Sequence, residues 1–596
     1  MSYFEVIGGK TVVNSFSASI TGHLLLDLGI LVVLSSAAAY LFLRFSGLSM
    51  PVRLLLASVF LSSFTMILLG LELLGYCLVC LLGLQLTWEL LQGLQREYSV
   101  SDQRLLIYDA AYIVAILTII GSVSAVYLLL KPFVTIDLAL FPHSLVDLDG
   151  ALFHVLSALS PYVFVLVLMM PVLSKVIHRS TTFSEQIPQS DPPRAANEKI
   201  GILLLVAGIL TSILGALYPF LPAMDLSKPL GVDFGFYIEL LGIFDKQGFT
   251  LETLSLTSVV SGTGLYRYDR VLSNAFLILV YSVSHLPASW AINTLPLLLG
   301  PFFVLSSYLL GSELFGRNLF SGMCAYIAAT CYTITIGLFA GYYGNWQANA
   351  VFMLLLWTTL RWQRIRNTRA LLGATVFSVI LFLTHAYTWL ISLGILVPLL
   401  ALEINSSVTQ RGRRMTRRHL LFLGVLATVL VSLDYSRMAL LGVPSILTVG
   451  LIMLSRAGLG VENIIALNRN LGTTFFSYAA GFPSNCLLLS LAAVGSYIVP
   501  GNRRLRWLFS PFITLCLFLF TFANPFTMQG RILYTFPIVP LSVLGLVTVT
   551  HLVRGALGSD ESSNHVAALI AAFVTVEQLA YLLRSMETLA ELTLLP

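Results

Sequence analysis

Long apolar runs separated by short polar segments form the pattern of this chain from end to end. Most runs are about 17 to 25 residues long, which is the length that an α-helix needs to cross a hydrocarbon core of about 30 Å. Apolar and polar positions do not alternate within the runs, so the pattern predicts helices and not the strands of a membrane barrel. The predicted fold class is therefore an all-α polytopic membrane protein with roughly 16 to 18 transmembrane or re-entrant helices.

A polar segment at residues 181–198 divides this pattern into two blocks. The segment carries charges of both signs and the pair Pro192 and Pro193, a composition that is typical of a linker. We predict an N-terminal bundle of about five transmembrane helices before it and two membrane modules after it. The three predicted parts are residues 1–180, 199–433 and 434–596.

Individual helices are predicted where the apolar runs have clear ends. The second block is predicted to begin with a membrane helix from Ile200 to Phe220, which delivers the chain to an external loop at 221–270. In the last module, helices are predicted from Leu487 to Val499 and from Ile532 to Val549. Arg531 would then stand at the external mouth of the second of these two helices.

The composition excludes an ordinary soluble domain. Of the 596 residues, 57% are hydrophobic and only 10% are charged, whereas roughly a quarter of the residues in a soluble domain are charged. The net charge of +5 is spread over connecting loops, so it indicates membrane orientation and gives no argument for a nucleic-acid partner. No basic region precedes the first apolar run at Leu24, so we expect its helix to remain as an anchor.

An acidic segment from Pro222 to Gly248 directly follows the first membrane helix of the second block. Its carboxylates are Asp225, Asp233, Glu239 and Asp245. Ionisable groups at a membrane boundary indicate a functional site, although a solvated loop between two helices would have a similar composition. The segment continues into an amphipathic stretch, which is more than a connection between two helices requires, and this favours a functional role.

Arginine-rich loops predict which side of the membrane each turn occupies, because Lys and Arg accumulate on the cytoplasmic side. The loops at 361–369 and 411–418 are therefore predicted to be cytoplasmic. Alternation then places two polar turns outside, His385 to Trp389 and Gly341 to Asn349. The acidic loop also falls outside if Val271 to His285 is a re-entrant or surface helix, as its shortness suggests. We therefore expect three polar turns on one face.

Two segments resemble the GT-C polytopic glycosyltransferases, which use sugars linked to lipid phosphates as donors. The sequence PLGVDFGFY, from Pro229 to Tyr237, is similar to a P-L-G-x-D-x-x-x-Y-type segment that follows a transmembrane helix in archaeal-type members. The sequence GRILYTFPIVP, from Gly530 to Pro540, looks like the late helix whose arginine contacts the donor phosphate. The resemblance, which extends to protein mannosyltransferases, aminoarabinose transferases and oligosaccharyltransferases, runs from Lys199 to the C-terminus.

The resemblance implies a role for each candidate site residue. Asp233 would be the catalytic base of an inverting transfer from a polyprenyl (dolichyl) phosphate-linked sugar to an acceptor protein or glycolipid on the external face of the cell membrane. The expected acceptor or metal ligands are Asp225, Glu239 and His385, and the expected donor-phosphate ligands are Arg531, Arg437 and Lys228. A divalent cation, Mg²⁺ or Mn²⁺, stays open, because Asp225 and Asp233 are farther apart than the acidic pair of that family.

Other interpretations remain for single residues and for the whole chain. His385 in an apolar hairpin suits a buried, hydrogen-bonded histidine as well as an acceptor site, and Arg531 suits interfacial contact with lipid phosphates in general. A transporter or flippase of lipid-linked glycans would share the apolar composition and the arginine. A non-catalytic membrane scaffold would also tolerate these features. An enzyme differs from a scaffold in requiring Asp233 and Arg531 in one cavity.

Overall fold

A computed structural model of the chain describes the fold from Ala195 onward, with gaps. The described residues are 195–221, 225–254, 270–365, 367–386, 388–393, 413–441, 485–498, 534–557 and 560–594, together with Val167 and Ser445. The predicted N-terminal bundle, Val167 excepted, and Arg531 lie outside them.

The described residues form helices and no strand, which confirms the helical class for this part of the chain. The helices are α1 Ala195–Leu217, α2 Phe234–Gln247, α3 Leu251–Leu254, α4 Val271–Ser284, α5 Ala288–Phe315, α6 Leu319–Thr330, α7 Tyr332–Ala340, α8 Tyr343–Ile365, α9 Thr368–Thr384, α10 Arg413–Leu441, α11 Cys486–Ile498, α12 Ile538–Leu557 and α13 Asp560–Leu594. A 3₁₀ turn, Tyr218–Phe220, extends α1.

Three of the described segments are long and apolar enough to cross a membrane. They are Glu198–Phe220, Ala288–Phe315 and Leu319–Ala340. Shorter apolar helices include α4, whose 14 residues reach only about 21 Å at 1.5 Å per residue. The structure thus confirms a short helix at this position, and its predicted place as a re-entrant or surface helix, on which the external position of the acidic loop depends, stays a prediction.

Helix α1 has two unlike faces. Its outward face exposes a stripe of apolar side chains, Ile202, Leu203, Val206, Leu210 and Leu214. The opposite face presents Gly201, Gly208 and Gly215, which recur every seven residues. Gly201 and Gly208 bring α1 against α6, where a Cβ on Gly208 would lie 3.0 Å from the Ala325 carbonyl oxygen, and Gly215 packs against Leu582 of α13. Small residues at a helix contact and apolar ones toward the surroundings are typical of a helix in a membrane.

Helix boundaries differ from the predicted ones where local chemistry overrides the apolar pattern. Helix α1 begins at Ala195, inside the predicted linker 181–198, soon after the proline pair that precedes it. Within the predicted helix from Ile532 to Val549, the helical residues Tyr534 and Thr535 are separated from α12 at Phe536 and Pro537, because Pro537 supplies no backbone donor. The described part of this prediction is therefore interrupted, and α12 continues to Leu557.

The predicted division between Leu433 and Asp434 falls within α10, which continues to Leu441. Arg437 and Asp434 lie one turn apart on this helix, and their charged groups approach to 3.3 Å. Because the two charges compensate each other, the helix accommodates them without ending. The predicted division therefore falls inside a helix, and the division of the chain into two modules stays a prediction.

Polar side chains join helices that are distant in the sequence. Asn485, just before α11, exchanges two hydrogen bonds with Gln578 of α13, at 2.8 Å and 3.0 Å. Both side chains are buried, and buried amides need such partners. Helix α13 itself was not among the predicted elements, because its charged residues interrupt the apolar run.

Candidate functional site

Asp233 lies at the N-terminus of α2, on a loop that is attached to the end of α7. The backbone amides of Val232 and Asp233 donate to the carbonyl oxygens of Phe339 and Ala340, both at 3.1 Å. The Asp233 side chain is half-buried and makes no capping hydrogen bond to α2. The loop is therefore held by backbone contacts, and the carboxylate does not cap the helix.

Two glycines make this close approach possible. Gly231 and Gly341 have φ angles of +99° and +68°, a region that favours glycine. A Cβ on Gly231 would lie 3.0 Å from the Cα of Gly341, and a Cβ on Gly341 would lie 3.3 Å from the Cβ of Asp233. Side chains at these positions would push the acidic loop away from the turn. The structure thus brings together two of the three polar turns that were expected on one face.

Tyr237 fastens α2 to the same turn. Its hydroxyl donates to the Gly341 carbonyl oxygen at 2.8 Å, and its ring stacks on Tyr343 with centroids 5.2 Å apart. Burial raises the pKa of Tyr237 well above its ordinary value, the Asp233 carboxylate raises it further, and the Arg270 guanidinium opposes the shift. Asp233 and Arg270 therefore both act on this one hydroxyl.

Removing the Tyr237 hydroxyl should loosen the attachment of α2. The Gly341 carbonyl would keep its bond from the Tyr343 amide, at 2.8 Å, so we expect Tyr237→Phe to lower stability by only about 1 kcal/mol. Thermal unfolding in detergent measures this change. Tyr237→Ala removes the whole ring and serves as the comparison. If Tyr237→Phe lost as much stability as Tyr237→Ala, the hydrogen bond and not the stacked ring would hold α2.

Lys228 and Asp225 lie on the part of the loop before α2. The buried Asn293 of α5 donates through Nδ2 to the carbonyl oxygens of Leu226 and Lys228, at 2.7 Å and 2.8 Å. The Asp225 carboxylate accepts from the Ser227 amide at 2.8 Å. Hydrogen bonds from the side chain and the backbone of Ser227 lower the pKa of Asp225. The local geometry gives Asp225 a turn-forming role, and its predicted role toward acceptor or metal stays a prediction.

The lowered pKa of Asp225 yields a pH prediction. The Asp225 carboxylate stays ionised at every pH above the ordinary pKa of an aspartate. Its hydrogen bonds with Ser227 stop stabilising the turn only when the pH falls through the pKa of Asp225 in the folded protein, which is lower still. We therefore expect Asp225→Asn to leave the acid limb of any pH–activity profile in place. Displacement of that limb in the variant, measured beside wild type in one buffer series, would contradict this assignment.

The remaining acidic residues of the loop are exposed. Glu239 points from α2 toward the surroundings, and Asp245 accepts a hydrogen bond from the Tyr281 hydroxyl at 3.1 Å. Across the part of the chain that the structure describes, no group of three or more His, Cys, Asp or Glu side chains is arranged to hold a metal ion. The described residues therefore assign no ligand set to a divalent cation.

His385 follows α9 in an extended conformation and is fully buried. Its Nδ1 lies 3.1 Å from the Thr388 amide and 2.9 Å from the Thr388 hydroxyl. This arrangement caps the helical residues 388–393, as expected for the buried, hydrogen-bonded histidine. A role of His385 at the acceptor stays a prediction.

Arg437 is buried in α10 beside Asp434, and both its Nε and one terminal nitrogen lie 3.3 Å from the Asp434 carboxylate. The other oxygen of Asp434 accepts from the Ser445 hydroxyl. A donor phosphate at Arg437 would have to compete with this ion pair. The geometry therefore favours a structural role for Arg437 over the predicted phosphate contact.

Tyr534 is held against the junction of α7 and α8. Tyr534 lies three positions after Arg531; its carbonyl oxygen accepts from Asn349 Nδ2 at 2.7 Å, and its hydroxyl donates to the Thr333 carbonyl oxygen at 2.8 Å. The Tyr534 ring also meets the edge of Tyr342 at 5.8 Å between centroids. The acidic loop and the Tyr534 segment thus lie against the same structure.

Arg270 is a charged residue of this region that the sequence analysis did not select. It is half-buried, it precedes α4, and its Cδ lies 3.7 Å from the position of a Cβ on Gly344. The feature of the sequence that could have indicated Arg270 is its position at the end of the predicted loop 221–270, where a helix begins.

No protein-family model and no curated protein sequence matches the chain. The membrane-length helices and the geometry around Asp233 are therefore the grounds for assigning a function.

Proposed function

We propose that the protein is a multi-pass glycosyltransferase of the cell membrane, which transfers a sugar from a polyprenyl phosphate to an external acceptor with inversion. The observation that carries the proposal is the junction of α7 and α8, from Gly341 to Asn349 in the second turn of α8. The loop of Asp233 and the segment of Tyr534 are both attached to it. The candidate base Asp233 and the described residue Tyr534 thus belong to segments that meet at one place.

Arg531 precedes Tyr534 by three positions and lies outside the described residues, so its contact with the donor phosphate stays a prediction from the sequence. A guanidinium suits a phosphate leaving group, because its paired donors match phosphate oxygens.

The proposed chemistry is a single displacement. The acceptor hydroxyl oxygen forms a bond to the anomeric carbon while the bond from that carbon to the phosphate oxygen breaks. The proton of the hydroxyl passes to the Asp233 carboxylate, and polyprenyl phosphate leaves with the bonding electrons. Cationic side chains stabilise the negative charge on the departing phosphate. The half-buried position of Asp233 suits a base, because a fully solvated carboxylate attracts protons weakly at neutral pH.

A transfer assay in liposomes tests the proposal. The full chain is supplied with polyprenyl-phosphate hexoses on one side of the membrane, with peptide and glycolipid acceptors, and the labelled product is measured. Movement of the labelled lipid between leaflets is followed in the same vesicles. Transfer supports the proposal; lipid movement without transfer would favour the flippase, and neither activity with any hexose would favour the scaffold.

A further inference from the structure

Four exposed arginines lie near the C-terminal end of α8, opposite to the acidic loop. Arg361 and Arg364 belong to the last turns of α8, Arg369 to the first turn of α9, and Arg317 to the connection between α5 and α6. The 23 residues of α8 extend about 35 Å at 1.5 Å per residue, and the junction beside Asp233 lies at the other end. We call the region of these arginines the basic end; its arginine-rich loop is predicted to be cytoplasmic.

The basic end uses one carboxylate within the protein. The Glu313 carboxylate lies 3.0 Å from Arg364 Nε, and this ion pair joins the end of α5 to the end of α8. Only 7% of the Glu313 side chain is exposed, against 64% of the Arg364 side chain. Within the described part of the chain, no ion pair involves Arg317, Arg361 or Arg369. The basic end therefore has an excess of positive charge.

Arg361 and Arg369 lie at the same depth on neighbouring helices. The connection between α8 and α9 is short, so the two helices run antiparallel. A Cβ on Gly373 would lie 3.2 Å from the Cγ2 atom of Thr358. Arg361 follows Thr358, and Arg369 precedes Gly373, by about one helical turn in each case. Both arginines thus lie one turn beyond the same contact, toward the basic end.

Apolar side chains continue from each arginine toward the middle of its helix. On α9, Leu372 and Val376 follow Arg369 at three and seven positions, so all three lie on one side of the helix. Leu372 is 63% exposed and Val376 is 44% exposed. On α8, the guanidinium carbon of Arg361 lies 5.6 Å from the centre of the Trp357 ring, one turn before it. Cations above exposed apolar side chains and a tryptophan are typical of the boundary between lipid headgroups and hydrocarbon.

We propose that the basic end binds an anionic phospholipid, whose phosphate accepts hydrogen bonds from Arg361 and Arg369 and whose acyl chain lies along Leu372 and Val376. Arginine suits this contact, because its paired donors match phosphate oxygens. The charge selects the lipid, because a zwitterionic headgroup carries its own cation, which the excess of positive charge repels. This surface lies at the other end of α8 from Asp233, so the inference does not depend on the proposed sugar transfer.

Native mass spectrometry of the full chain, released from detergent, counts bound lipid molecules and measures their affinity. We expect phosphatidylglycerol to bind about tenfold more tightly than phosphatidylcholine with the same acyl chains. The double variant Arg361→Gln with Arg369→Gln should lose most of this preference, because basic residues near a membrane surface attract anionic lipid. The double variant Arg361→Lys with Arg369→Lys should keep most of it, because lysine keeps the charge and loses only the paired donors.

Two further variants locate the site. Lys246→Gln removes an exposed cation from the last turn of α2, beside the acidic loop, and should bind both lipids as wild type does. Leu372→Ser should weaken the binding of both lipids about threefold, because the acyl chains of both lie on the same apolar side chains.

Equal affinity of wild type for the two lipids would overturn the proposal, as would an unchanged preference in the folded glutamine double variant. Loss of the preference in Lys246→Gln would also overturn it, because a cation far from the basic end would then matter equally. Glycerophosphoglycerol, the headgroup without acyl chains, should not displace phosphatidylglycerol at the same concentration, and displacement would overturn the assignment to a lipid. If the double variant fails to fold, Arg361→Gln alone decides. A preference reduced about threefold supports the proposal, and an unchanged one overturns it.

Discussion

Replacing Asp233 by asparagine is expected to abolish sugar transfer and to leave the protein folded. The amide keeps the size of the side chain but cannot take the acceptor proton, and loss of a general base lowers rates by about 10² to 10⁴. The backbone bonds of Val232 and Asp233 to α7 do not involve the carboxylate, so the loop should keep its position. Rates of transfer from a polyprenyl-phosphate hexose, with thermal unfolding of the same preparations, measure both parts of the prediction.

Asp245→Asn is the matched control, because it makes the same chemical change on the same helix. Asp245 is exposed and bonds only to the Tyr281 hydroxyl among the contacts found for it. Its rate of transfer should equal that of wild type. Equal rates in Asp233→Asn and wild type would remove Asp233 from the mechanism, and the assignment of the site would fall with it.

Replacing Gly322 by alanine is expected to destabilise the contact between α1 and α6 by about 3 kcal/mol. A Cβ on Gly322 would lie 2.6 Å from the carbonyl oxygen of Gly201 and 2.7 Å from its Cα. These are backbone atoms, so no side-chain rotation relieves the clash and the helices must separate. Helices in a membrane associate largely through close packing, which makes such a separation expensive.

Gly424→Ala is the control for this change. Gly424 lies within α10, and a Cβ there would meet nothing within 4 Å. Because alanine favours a helix over glycine, we expect the control to be neutral or stabilising by up to about 1 kcal/mol. Thermal unfolding in one detergent compares the two variants. Equal stabilities would show that α1 and α6 can separate without loss and that their packing is not as close as described.

Apolar periodicity predicted where helices form, because a run of membrane length selects a helix through its own backbone hydrogen bonds. The helices α4 and α11 match the runs that predicted them, and the acidic segment continues into α2 as expected. The boundaries depended on single residues that hydropathy does not weigh. Pro537 separates α12 from the helical residues before it, and the pair of Asp434 and Arg437 allows α10 to continue through two charged positions.

The candidate site was only partly predictable. Asp233 was selected from its segment, and the predicted orientation of the loops placed it on the same face as the turn at Gly341. His385 was also selected, but its ring caps the next helical residues, a local role that its spacing from Thr388 allowed. Arg270 and Tyr343 were not selected. Nothing in the sequence around Arg270 indicates that it lies beside Gly344 in the fold, and nothing around Tyr343 indicates that its ring stacks on Tyr237.

The sequence by itself determined the class of the protein: helical, apolar enough for a membrane, with an acidic loop after a membrane-length helix. These properties follow from local composition and periodicity, which are independent of distant residues. The tertiary structure decided which polar groups meet. Positive φ angles at Gly231 and Gly341 let the loop and the turn approach, and that approach joins residues more than a hundred positions apart. Contacts of this kind depend on the packing of whole helices, for which a single sequence carries no local signal.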